Sequence, residues 1–201
     1  MTAEEALPAA GLVLAAGAGR RMGIPKALVE YDGQTLLDVA VGVLRDGGCA
    51  PVYAVLGAEA ERARSAARRD FVSVFNPDWP TGMGSSLRRG LEVLPHGCAA
   101  VVVTLVDQPW LSPEAVARLR RAHARGARVA AATYGGRRGH PVLFDSALWS
   151  DVADTAHGDV GARDFLKARP ELVVEVACDG LGEASDVDTY DDLRRRGSAK
   201  S

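Results

Sequence analysis

Leu12–Leu28 reads LVLAAGAGRRMGIPKAL. It opens as an apolar strand, breaks at a glycine-rich bend, and runs at once into Arg20 and Arg21, with Lys26 five residues further on. Glycines let a main chain approach phosphate oxygens closely, its N–H groups point at them, and the cations neutralise their charge. The stretch reads as a loop that wraps a polyphosphate. A strand delivering such a loop to a following helix is the building unit of an α/β fold.

Outward from this loop, strand-like and helix-like segments alternate. Gly11–Ala16 is the first strand. Thr35–Gly47 has helical spacing (Leu36, Leu37, Ala40, Val41, Leu44) and stops at Gly47-Gly48. Val52–Leu56 and Phe71–Phe75 read as strands around a helix at Ala58–Arg68. Ser85–Leu94 is helical, with Pro95 beyond its end. Ala99–Val106 is uninterrupted and valine-rich, as expected of a strand covered on both faces. Ser112-Pro113-Glu114 then opens a helix to about Arg125, with serine as cap and proline in the first turn. Val129–Tyr134 and Pro141–Phe144 read as strands joined through Gly135–Arg138. Short helices follow at Ser146–Asp154 and Gly161–Ala168, then a strand at Leu172–Ala177 and a closing helix at Thr189–Arg196. The pattern predicts a three-layer α/β/α sandwich with a mostly parallel, Rossmann-like central sheet, one domain over residues 1–196 and a frayed tail over 197–201. Ligands of such sheets bind at the carboxyl ends of the strands, where both the glycine loop and Asp107 fall.

Composition excludes several classes. With 201 residues, 47% hydrophobic and 25% charged, the chain is of ordinary globular make-up and can bury a core. A net charge of −2 gives no footprint for nucleic acid or a membrane surface. Ala99–Val106, the longest apolar run, is too short to span a bilayer, and the acidic start MTAEEALPAAG is unlike a secretory signal. Cys49, Cys98 and Cys178 are scattered, which points to a reduced, cytoplasmic setting, and His96, His123, His140 and His157 are too dispersed for a zinc site.

Neither common glycine motif fits the loop. A Walker loop needs GxxxxGK[ST], but Lys26 follows Pro25 and precedes Ala27. A dinucleotide fingerprint needs GxGxxG, and here Met22 holds the last position with Gly23 one place late. Asp38 stands at a tempting distance for a ribose ligand, yet lies inside a helical pattern.

LAAGAGRRMGIPK instead resembles the signature of the GT-A-type nucleotidyltransferases, in particular those acting on molybdopterin. NPDWPTGMGSSLRRGL (Asn76–Leu91), VTLVDQPWLSP (Val103–Pro113), YGGRRGHPVLF (Tyr134–Phe144), GDVGAR (Gly158–Arg163) and DVDTYDDL (Asp186–Leu193) agree in order and spacing. The resemblance runs from about Leu12 to Leu193. It is closest to the molybdenum cofactor cytidylyltransferase branch, since Ala15-Ala16-Gly17 and Asp107-Gln108-Pro109 stand where the guanylyl branch carries LAGG and DMP.

The resemblance implies nucleotidyl transfer. A terminal phosphate on the acceptor attacks the α-phosphorus of CTP and pyrophosphate leaves in line, so the protein's work is positioning and charge neutralisation. It assigns Arg21, Lys26 and Asp107 to catalysis. Leu14, Ala15, Ala16, Gly17, Gly19, Gly84, Ser85 and Ser86 join Arg21 and Lys26 on the nucleotide. Read alone, Arg21 and Lys26 are equally a pair of solvated cations, and Gly82–Leu87 an ordinary helix start. Arg20 holds a variable motif position and is expected in solvent. Asp107 is expected to bind Mg2+, with Mn2+ as substitute, its bland reading being a turn aspartate. Asp188, or else Asp186, supplies a second carboxylate, although Asp188 also suits a helix cap. His140, Asp159 and Arg163 are candidates for the acceptor pocket; Asp159 and Arg163 also suit a helical i, i+4 pair.

The expected activity is therefore CTP:molybdopterin cytidylyl transfer, with a molybdoenzyme or its chaperone as recipient. Other readings are transfer from GTP or to another phosphorylated acceptor (a sugar phosphate, polyol phosphate or phospholactate), a non-catalytic cofactor chaperone, and a dehydrogenase, against which the glycine misregister speaks.

Overall fold

A computed structural model describes residues 9–197 of the chain, and for Arg195 and Arg196 the main chain alone. The expected tail at 197–201 lies, apart from Gly197, outside the described residues. The chain alternates strands and helices in the order β1 (Ala9–Ala15), β2 (Glu30–Tyr31), β3 (Gln34–Thr35), α1 (Leu36–Asp46), β4 (Val52–Leu56), α2 (Ala60–Ala66), β5 (Val72–Phe75), α3 (Met83–Glu92), β6 (Ala100–Leu105), α4 (Pro113–Ala124), β7 (Val129–Tyr134), β8 (Arg137–Asp145), α5 (Trp149–Thr155), α6 (Arg163–Ala168), β9 (Val173–Ala177) and α7 (Tyr190–Gly197).

Seven strands form one sheet in the order β5-β4-β1-β6-β8-β7-β9. Pairing is parallel except at β8, which runs antiparallel to both β6 and β7. The period of two along each central strand divides the apolar residues between two cores. Val13 and Ala15 of β1, with Ala100 and Val102 of β6, face the core under α1, α2, α4 and α7. Leu12, Leu14, Val101 and Val103 face the core under α3, α5 and α6. Both faces are covered, so β1 is apolar throughout and β6 is apolar except at the buried Thr104, rather than alternating.

Local chemistry sets the helix ends. The Thr35 hydroxyl accepts the Asp38 N–H at the start of α1, and the Ser112 hydroxyl accepts the Glu114 N–H before Pro113 in α4. At α7, Thr189 and Asp192 satisfy each other's main-chain N–H groups, leaving the Asp188 side chain free of the cap.

Two segments differ from the sequence pattern. The β8 strand begins at Arg137, four residues before the expected Pro141. A register shift between Ala131 and Thr133 of β7 lies opposite, and β6 pairs with β8 only from Val142 onward, so the missing proline N–H interrupts no ladder. The β2–β3 hairpin went unread because strands of two residues carry no periodicity.

Candidate active site

The carboxyl ends of β1 and β6, adjacent parallel strands, place the glycine loop beside Asp107. The Asp107 carbonyl accepts the Val187 N–H at 2.8 Å, which pins the segment before α7 onto the same strand tip. Three stretches far apart in sequence thus meet. Lys26 Nζ donates to Asp107 Oδ2 at 2.8 Å and to Asp188 Oδ1 at 3.0 Å. Arg21 Nη1 donates to the other Asp188 oxygen at 2.8 Å. Asp186 points elsewhere: its Oδ1 accepts from Gln108 Nε2 at 2.7 Å.

Burial sets the electrostatics. Desolvation pushes the Asp107 carboxyl above the usual carboxylate range, and Asp186 adds to this; Lys26 and the residue's own main-chain N–H oppose the rise without cancelling it. Burial also works most strongly against the Lys26 ammonium, but the two carboxylates together outweigh it and raise its pKa. The partners do not mirror each other because Asp107 has one cation whereas Lys26 has two anions. Asp107 Oδ1 is buried with no hydrogen-bond partner among the described residues. An orphaned carboxylate oxygen beside a second carboxylate suits a hard divalent cation that completes its shell with water and phosphate oxygens. No cluster of three or more acidic, histidine or cysteine ligands is found among the described residues.

Next to this triad opens a cavity of about 380 Å3. Leu14, Gly17, Gly19, Lys26 and Asp107 line it, as do Trp79, Met83, Ser86 and Asp159. Gly19 has a φ of +59°, and a Cβ there would overlap the Ile24 carbonyl oxygen. The loop is folded back on itself at a point only glycine serves. The Gly19 carbonyl accepts the Met22 N–H at 2.8 Å, closing the turn that carries Arg21 beside Asp188.

The remaining candidates separate. Ala16 lines the cavity and Ala15 ends β1 behind it. Arg20 lines it too, whereas Arg21 is 72% exposed beyond the rim. The Ser85 hydroxyl is taken up by the Asp78 and Gly82 carbonyls and by Asn76 Nδ2; Ser86 also accepts from Asn76 and lines the cavity. The Gly84 N–H, at the start of α3, donates to the Gly158 carbonyl at 2.7 Å and so is not free for a ligand. His140 on β8 and Arg163 at the start of α6 do not line the cavity, whereas Asp159 does. Burial lowers the His140 imidazole from 6.5 to about 4, with Asp186 opposing. Gln108 was read from sequence only as part of the DQP segment, with no contact assigned to it, and Trp79 only as part of the Asn76–Leu91 segment. Proline following tryptophan before a glycine pair was the available signal for Trp79, and no spacing rule announces Gln108.

Fold and loop together define the nucleotidyltransferase class of enzymes. Residues 11–173 match the MobA-like NTP transferase domain, and the chain belongs to that family. It is 42% identical over 194 residues to nicotine blue oxidoreductase of Paenarthrobacter nicotinovorans, covering 92% of this chain and 94% of that protein. A probable molybdenum cofactor guanylyltransferase of Opitutus terrae is 32% identical over 117 residues, 58% of this chain and 56% of that one. Among solved structures, Rv0371c of Mycobacterium tuberculosis H37Rv superposes with a TM-score of 0.82 at 30% identity, covering 95% of this chain and 98% of that one. A manganese complex of Rv0371c superposes with a TM-score of 0.78 at 30% identity, covering 94% and 97%. Among the described residues no helix is long and apolar enough to cross a membrane.

Proposed function

We propose that the protein transfers CMP from CTP to the terminal phosphate of a molybdopterin-type acceptor and releases pyrophosphate. The observation that carries this reading is the Lys26–Asp107–Asp188 triad beside the glycine-lined cavity. Main-chain N–H groups of the loop and the Lys26 ammonium neutralise the triphosphate, while Arg21 at the rim meets its outer oxygens. For Lys26 to reach phosphate it releases one or both carboxylates, which then face the same space. Asp107 and Asp188 would hold Mg2+ there; when bound, it supplies Lewis-acid stabilisation of charge on the phosphate oxygens. The structure of Rv0371c in complex with manganese supports the use of a divalent ion. Reaction then needs the acceptor phosphate held in line with the α-phosphorus, a task of positioning and charge rather than covalent catalysis. The LAAG and DQP segments support CTP over GTP by resemblance.

Pure protein incubated with Mg2+, radiolabelled CTP or GTP, and molybdopterin carrying molybdenum tests this. Acceptor-dependent pyrophosphate release from CTP is expected. Preference for GTP would overturn the base assignment alone, and no release with either would overturn the transferase reading.

A second reading rests on one observation: the relative matched along nearly its whole length is named an oxidoreductase. On this reading the same loop grips the pyrophosphate of a reduced nicotinamide dinucleotide, and a nicotine-blue-like dye takes the electrons. The glycine misregister weighs against it. Dye-dependent oxidation of NADH or NADPH, with no pyrophosphate release from CTP, would favour it over transfer.

A further inference from the structure

Asp107 and Asp188 carry four carboxylate oxygens between them, and the glycine loop already holds three. Lys26 Nζ donates to Asp107 Oδ2 at 2.8 Å and to Asp188 Oδ1 at 3.0 Å, and Arg21 Nη1 donates to Asp188 Oδ2 at 2.8 Å. The fourth, Asp107 Oδ1, is buried and has no hydrogen-bond partner among the described residues. The two cations are not equal. Lys26 and Asp107 are each 19% exposed, so solvent screens their pair little, whereas Arg21 is 72% exposed and its pair is correspondingly weak.

A hard divalent ion takes about six oxygens. With Lys26 in this position, one carboxylate oxygen of the four is unpaired, and the ammonium, bonded to both carboxylates, stands where an ion bridging them would stand. Repulsion between two cations adds to the obstruction, most of all where water screens it least. A triphosphate reverses this. Its oxygens attract Lys26, which lines the cavity with Gly17 and Gly19, and the exposed Arg21. As both cations turn to phosphate, three carboxylate oxygens come free together, beside phosphate oxygens able to share the same ion.

We propose that Lys26 is a built-in competitor for the divalent ion: it keeps the Asp107–Asp188 pair closed to an ion arriving alone, and the triphosphate opens the pair by drawing the ammonium away. This rests on the nucleotidyl-transfer reading and adds an order of assembly to it. Nucleotide and ion then bind with positive coupling, each strengthening the other by the same factor.

The test is calorimetric titration with Mn2+ in the absence of nucleotide, in the wild type, Lys26→Gln and Lys26→Arg, with melting temperatures as a folding control. Lys26→Gln keeps a donor for the carboxylates and removes the charge; it is expected to bind Mn2+ about tenfold or more tightly than the wild type. Lys26→Met, which gives up the hydrogen bonds as well, repeats the measurement should Lys26→Gln melt early. Lys26→Arg keeps the charge and is expected to stay within about threefold of the wild type. The same neutral variants are expected to bind CTP more weakly without metal, the opposite direction to their gain for the ion, which a general loosening of the site would not produce. A neutral variant that binds Mn2+ no more tightly than the wild type, or a Lys26→Arg that gains as much as Lys26→Gln, overturns the competitor while leaving nucleotidyl transfer standing. A wild type that binds CTP neither with nor without Mn2+ overturns both.

Discussion

Two glycines of one loop carry different burdens. At Gly19 the backbone is left-handed and a Cβ would strike the Ile24 carbonyl, whereas a Cβ on Gly17 meets nothing within 4 Å and stands on the cavity wall. Gly19→Ala is therefore expected to lower stability by about 1–3 kcal/mol in urea denaturation. Gly17→Ala is expected to leave the denaturation midpoint in place and to weaken nucleotide binding, measurable by titration. Asp107→Asn keeps shape and removes charge; it is expected to slow pyrophosphate release on the order of a hundredfold or more. At this scale the sequence was readable where a motif spans neighbouring residues, as from Gly17 to Lys26. It was not readable for Gln108, whose partner Asp186 is brought to it only by folding. Asp38 shows the reverse error that spacing invites. Its distance from the loop suits a ribose ligand, yet it is 1% exposed inside α1 and far from any ligand role.

Asp38 instead joins elements. Its Oδ1 accepts the N–H groups of Arg68 and Arg69, at the exit of α2, and its Oδ2 accepts from the Thr35 hydroxyl that caps α1. One carboxylate thus ties the first turn of α1 to the connection between α2 and β5. Asp38→Ala strands buried donors on both sides and is expected to cost about 2–4 kcal/mol by urea denaturation, with unchanged CTP affinity in the folded protein. The α1 and α4 helices were legible because their stop and start signals are local: Thr35 and Gly47, Ser112 and Pro113. Helices lacking such caps drifted. The α3 helix starts at Met83 rather than Ser85, since its first turn is satisfied by the Gly158 carbonyl, a partner distant in sequence. The reach of β8 back to Arg137 was hidden for the same reason, because β8 bulges at Gly139–Pro141 and regains its pairing with β7 only at Arg138, a partner distant from β8's apolar run.

Across the whole molecule, the sheet brings the ends of β1 and β6 and the segment before α7 to one edge, and stability has a pH dependence seated near it. His140 titrates at about 4 when folded, well below its ordinary 6.5. The unfolded chain therefore takes up this proton first as pH falls, so the contribution of His140 to stability is full above 6.5 and is progressively lost toward 4. Between pH 7.5 and 5 the loss is expected to be about 2 kcal/mol, and His140→Gln is expected to flatten that part of the stability profile. The mostly parallel three-layer architecture was legible from the alternation of apolar runs and capped helices, because strands covered on both faces are apolar without interruption. The placing of Asp188 beside Lys26 was not, because it depends on the Val187–Asp107 main-chain contact.

The account turns on one nucleoside triphosphate and its divalent ion sharing Lys26, Asp107 and Asp188. Calorimetric titration of CTP with and without Mn2+, in the wild type and in Asp107→Asn, tests this most directly, with NADH as a competing ligand. Binding of CTP that the metal strengthens in the wild type and leaves unaltered in Asp107→Asn is the expected result. Binding of NADH without CTP, or CTP binding indifferent to both the ion and Asp107, would contradict it.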